Sequence, residues 1–81
     1  MNTREAREIV VTALTDVAPE IDPSDLEPRA SLRDGADLDS MDFLAFIAAV
    51  SEAIGTDIPE AEYPRLDGVA KAITYVAERV A

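Results

Sequence analysis

The sequence predicts an all-α fold: a small bundle of three main helices plus a short helix in the last connection, with a long loop between helices one and two. Two observations predict it. Apolar residues recur at helical spacing in three separate blocks, and no stretch alternates as a half-buried strand would. Prolines, glycine and short polar residues crowd the gaps between those blocks. With no internal repeat and no linker, the 81 residues read as one domain, 1–81. A chain of this size buries only a little over ~60% of its unfolded surface, so one modest core is available.

The first block runs from about Thr3 to Ala18. Ala6, Ile9, Val10, Ala13, Leu14 and Val17 form its apolar stripe, Asn2 or Thr3 can cap its start, and Pro19 marks its end. From Pro19 to Asp39 turn chemistry dominates, with Pro19, Pro23, Pro28 and Gly35 among Asp, Ser and Glu. A connection this long needs anchoring. Ile21, Leu26, Leu32 and Leu38 can pin it to the core, and a short helical turn is expected near Ser24 to Glu27. The second main helix spans Ser40 to about Ile54, with Gly55 placed to end it in a left-handed cap. In the next connection Glu60 to Tyr63 can form a short helix, which Pro64 is expected to limit. The last helix begins near Asp67, a good N-cap, and carries Val69, Ala72, Ile73, Val76, Ala77 and Val80 on one face.

Composition excludes much chemistry. The chain has no cysteine, hence no thiol nucleophile, disulfide or thiolate metal site, and no histidine, the usual general base and commonest metal ligand. Seventeen acids against seven bases, formally −10, argue against nucleic-acid binding. The same imbalance favours partners with basic docking surfaces, met through electrostatic steering. No apolar run approaches the ~20 residues that span a bilayer, and the N-terminal residues lack the apolar core of a signal peptide. A soluble, cytoplasmic monomer without membrane insertion is the expectation.

On a helical wheel the second main helix is apolar on two sides. Phe43, Ile47, Val50 and Ile54 form a core arc that Phe46 and Ala53 extend. Met41, Leu44, Ala45 and Ala48 lie roughly opposite, with Glu52 among them and Asp42 and Ala49 toward one flank. A helix exposed on that side should be polar there, so the second face reads as an apolar ridge for docking a partner. Met41 suits such a surface because its thioether adapts to differing partners.

The ridge begins beside Asp37-Leu38-Asp39-Ser40-Met41-Asp42, where Ser40 is read as a helix cap that remains exposed. An anion on its hydroxyl would sit at the positive end of the helix dipole. This motif, halfway along a short acidic helical chain, resembles the Asp-Ser-Leu motif of acyl carrier proteins. Ser31-Leu32-Arg33-Asp34 resembles the segment that leads into it, and Ile58-Pro59-Glu60 resembles the family's turn after its second helix. Together the likeness covers nearly the whole chain. It implies that a phosphopantetheinyl transferase attaches 4′-phosphopantetheine from coenzyme A to Ser40, giving this cysteine-free chain a thiol that carries acyl groups as thioesters. It also implies a shuttle rather than a catalyst, with no catalytic residue. Asp39, Met41 and Asp42 would be read by the transferase and by acyl-loading and acyl-processing enzymes, and Leu44, Ala48 and Glu52 would face partners. Met41 replaces the usual leucine, and Asp37 stands where many members have glycine. Ala45, Ser51 and Ala53 stand where acids are common, which implies a docking face more apolar than a general fatty-acid carrier's and points toward a specialised pathway. The partner enzymes implied are those of fatty-acid, polyketide or a related specialised biosynthesis.

Other readings fare worse. Asp34, Asp37, Asp39 and Asp42 cluster, but counting an EF-hand from Asp37 puts Met41 fifth and Asp42 sixth, where an oxygen ligand and glycine belong. No dedicated metal site is expected. Hydrolysis by Ser40 lacks a histidine to activate the hydroxyl. The remaining alternative is a non-catalytic acidic interaction module whose carrier-like serine is never modified.

Overall fold

The computed structural model describes residues 2–22, 27, 29–35 and 38–80. Helix α1 (Thr3–Val17) starts where Asn2, in extended backbone, accepts the Glu5 N–H on its side chain at 2.8 Å, which satisfies one of the free donors at a helix start. Ala6, Val10, Ala13 and Leu14 are buried, while Ile9 and Val17 pack half-buried at the edge. Successive residues here repeat at three- and four-residue intervals, so one stripe faces the core.

The connection that follows is anchored as its apolar residues require: Ala18, Leu32 and Leu38 are buried and Ile21 is partly so. Leu26 and the turn expected from Ser24 lie outside the described residues, and Glu27 is not helical. The connection is not wholly loop. Leu32–Gly35 forms one helical turn, α2. A single turn is too short to show periodicity, and its position is set from afar. Leu32 plugs into the core, and the Arg33 N–H donates to Asp67 at 3.2 Å.

Helix α3 (Ser40–Ile54) buries Phe43, Phe46, Ile47 and Val50. It ends at Gly55, whose φ of 71° is the left-handed conformation that favours glycine, and whose N–H bonds back to Ser51 and Glu52 carbonyls. Its cap corrects the sequence reading. Asp39, not Ser40, is the N-cap, accepting the Asp42 N–H at 2.8 Å. Ile54 is only half-buried and Ala53 is exposed. The core arc ends a turn early because Ala53 faces a groove against α1, lined also by Ile9, Ala13 and Ala49.

Glu60–Leu66 is a 3-10 helix that runs through Pro64. The expected stop fails because the fixed φ of proline suits a 3-10 turn, and Leu66 beyond it is fully buried. Helix α4 (Val69–Arg79) starts two residues after Asp67, with Gly68 at its head and no side-chain cap. The Asp67 carboxylate is engaged elsewhere, accepting the Ser31 hydroxyl at 2.7 Å and the Arg33 backbone and guanidinium N–H groups. Gly68 lies at φ 158°, and a Cβ there would stand 3.2 Å from the Ala30 carbonyl oxygen, so any side chain would push the two segments apart by a few tenths of an ångström. Buried on α4 are Val69, Ala72, Tyr75 and Val76.

α1 packs against both α3 and α4, the 3-10 helix packs on α4, and α2 packs on α3. The result is an all-helical bundle of 29 × 24 × 20 Å, with no strand among the described residues. Tyr75, unmarked in the sequence pattern, is among its largest core residues. Burial pushes its phenol upward, and the hydroxyl resolves its own polarity by donating to Glu62 at 2.5 Å.

Candidate functional site

The start of α3 is built so that capping and exposure fall on neighbouring residues. Asp39 turns its carboxylate back to the Asp42 N–H, and its own carbonyl accepts the Phe43 N–H at 2.9 Å. Ser40, the next residue, is therefore the first helical residue. Its side chain is exposed and its hydroxyl has no hydrogen-bond partner among the described residues. The free N–H groups of the first turn make this end partially positive. A negatively charged substituent on Ser40 gains from that field, offset in part by the Asp39 and Asp42 carboxylates.

From Ser40 the exposed face continues along α3. Met41 is 80% exposed and Leu44 50%, the exposed large apolar side chains of the described residues. Ala45 and Ala48 are exposed beside them, and Asp42 is half-buried on the flank. Spacing of three and four residues puts Met41, Leu44, Ala45, Ala48 and Glu52 on one side of the helix. At 1.5 Å per residue that side runs ~18 Å from Ser40 to Glu52. Glu52 stands at the far end, where with Ala48, Ser51 and Gly55 it borders an open hollow. Asp37 of the motif lies outside the described residues. Asp39, Ser40, Met41, Asp42, Leu44 and Ala48 are thus contiguous, and Glu52 closes the row at a distance.

Behind the site, the chain entering the motif is held by contacts that sequence reasoning missed. Burial alone pushes the Asp67 carboxyl up, but the Ser31 hydroxyl, the Arg33 backbone N–H, the Arg33 guanidinium and the Leu32 backbone N–H outweigh it and hold it below the usual range. The Arg33 guanidinium also lies over the Phe43 ring, 5.0 Å from its centroid. Asp67 thereby ties α2 to the head of α4 while Arg33 ties α2 to α3. Ser31 and Asp67 are 36 residues apart, and no local pattern announces such a pair.

The chain has no histidine or cysteine to pair with the Ser40 hydroxyl, and no group of three or more His, Cys, Asp or Glu is placed to hold a metal among the described residues. No helix among them is long and apolar enough to cross a membrane. What the geometry offers is an exposed hydroxyl, without a partner among the described residues, at one end of an apolar ridge.

Residues 8–75 match the model of the phosphopantetheine attachment site family. The chain is similar to the acyl carrier protein of Rubrobacter xylanophilus, with 36% identity over 58 residues that cover 72% of each chain. It is 32% identical over 75 residues to that of Acidothermus cellulolyticus, covering 89% of each. Against the acyl carrier protein of Thermosynechococcus vestitus identity is 31% over 81 residues, all of this chain and 99% of the other.

Proposed function

The chain belongs to the acyl carrier protein family, carriers rather than catalysts that bear covalent 4′-phosphopantetheine, and from that premise we propose that Ser40 Oγ is its point of attachment. The carrying observation is the division of labour at the head of α3: Asp39 supplies the cap, leaving the exposed Ser40 hydroxyl without a partner among the described residues. Attachment replaces the hydroxyl hydrogen by the phosphopantetheinyl group of coenzyme A, with adenosine bisphosphate leaving. The thiol at the end of that arm holds the acyl group as a thioester.

Asp39, Met41 and Asp42 flank the hydroxyl and serve as the recognition surface for the transferase. Leu44, Ala48 and Glu52 extend it for acyl-loading and acyl-processing enzymes. Because α3 itself carries only Asp42 and Glu52 as acids and presents two large exposed apolar side chains, its partners meet it with docking faces that are apolar as well as basic. That supports a specialised route within fatty-acid, polyketide or related biosynthesis over exchange with general fatty-acid synthase enzymes. The whole chain, 1–81, acts as one carrier domain, a monomer of the cytoplasm.

Intact-mass spectrometry after coexpression with phosphopantetheinyl transferases tests the attachment. The wild type gains the phosphopantetheine mass and Ser40→Ala does not. An unchanged wild-type mass across several transferases, or an equal gain in Ser40→Ala, overturns the assignment.

A further inference from the structure

The chain's few cations are not spread evenly. Three of its seven, Arg29, Arg65 and Lys71, line one open cleft with Pro64, Ala70 and Thr74, of ≈ 520 Å³. None of these residues belongs to α1 or α3, so the cleft is separate from the ridge that begins at Ser40. Its position follows from the close approach of Ala30 to Gly68, which brings the residues after Arg29 alongside the head of α4. Arg65 is fixed there: its guanidinium lies 4.9 Å from the centroid of the Tyr75 ring and donates to Glu78 at 2.8 Å. Arg29 and Lys71 are exposed and have no ion-pair partner among the described residues.

We propose that this cleft binds a compact amphiphilic anion, a carboxylate or phosphate head with a short apolar tail. Charge selects the head: Arg29 and Lys71, without an ion-pair partner among the described residues, line the cleft beside Arg65, whose own charge Glu78 offsets. Size follows from the rest of the surface. An extended polyanion, such as a duplex or an anionic bilayer, would meet the seventeen acids of a −10 chain. Only a ligand small enough to stay inside the cationic patch escapes that repulsion. Pro64 and Ala70 supply the apolar wall, and the volume falls in the ordinary range for small-molecule sites.

The test uses the unmodified full-length chain, so its outcome is independent of whether Ser40 is loaded. Amide chemical shifts are followed by NMR during titration with octanoate, octyl phosphate, octan-1-ol and inorganic phosphate at low salt. Octanoate or octyl phosphate should saturably shift Ala70, Lys71 and Thr74, the stronger of the two identifying the head. Affinity should fall at least tenfold in Arg29→Glu/Lys71→Glu, with the circular dichroism unchanged, and should weaken in 0.5 M salt. The inference is overturned if neither anion shifts these amides or if the double variant binds as tightly. It is equally overturned if octan-1-ol matches octanoate, since charge then plays no part, or if inorganic phosphate matches octyl phosphate, since the wall then plays none.

Discussion

Removing the Asp67 carboxylate is expected to cost this domain a large part of its stability, although Asp67 lies in no helix. It accepts the Ser31 hydroxyl at 2.7 Å and the Arg33 N–H at 3.2 Å, and its side chain is only 13% exposed. Hydrogen bonds to a charged group contribute ~1.5–3 kcal/mol each when well formed. The Arg33 guanidinium contact, at 3.4 Å and half exposed, adds only ~0.2–1 kcal/mol. The Arg33 N–H bond is long, so the total for Asp67→Ala is set at about 2–4 kcal/mol. The whole domain holds roughly 4–12 kcal/mol at typical per-residue stability. Asp67→Asn keeps an acceptor but loses the charge, and should fall between the two.

The pH dependence has a definite sign. The folded carboxyl is held below its ordinary value, so the folded state binds its proton less readily than the unfolded chain. The contribution is fully present above the ordinary aspartate range, about pH 4, and is lost as pH falls through the lowered folded value. Urea unfolding followed by far-UV circular dichroism, from pH 7 down to pH 2, measures it. The gap between wild type and Asp67→Asn should close on acidification. A gap that stays constant or widens, or an Asp67→Ala variant within about 0.5 kcal/mol of wild type at pH 7, refutes the latch.

The remaining expectations separate core, cap and ridge. Phe46→Ala deletes a fully buried aromatic and should cost ~3–5 kcal/mol in urea unfolding. Leu44→Glu, on a half-exposed side chain, should stay within about 0.5 kcal/mol of wild type while slowing partner enzymes' turnover of the loaded protein; a large stability loss would place Leu44 in the core instead. Gly55→Ala meets open space but must adopt φ 71°, so its cost should be the backbone strain alone, about 1–2 kcal/mol. Asp39→Ala should cost ~0.5–2 kcal/mol as a lost cap, and Ser40→Ala almost nothing; equal losses for the two would return the cap to Ser40.

The parts of this molecule that read directly from sequence are those fixed by neighbours three and four residues away. The stripes of α1 and α3, the left-handed stop at Gly55 and the burial of Phe46 are such features. The head of α3 was legible as a cap but ambiguous in its holder, because Asp39 and Ser40 are adjacent and both can accept an N–H; only the geometry from Asp39 to the Asp42 N–H decides. Where a residue answers to something distant, local logic misleads. Asp67 looks like an N-cap because it precedes a helix, yet Ser31 and Arg33, more than thirty residues back, take its oxygens and leave Gly68 to start α4 uncapped. Tyr75 carries no mark in the apolar pattern of α4, and its burial depends on Glu62 of the 3-10 helix receiving its hydroxyl. Both residues are polar groups whose partners arrive through the fold. The Ser40 hydroxyl and the Met41–Leu44–Ala48 face escape that problem: they are conspicuous in sequence for the same reason that they remain exposed in the structure. Among the described residues nothing covers them, which is what the proposed attachment and docking require.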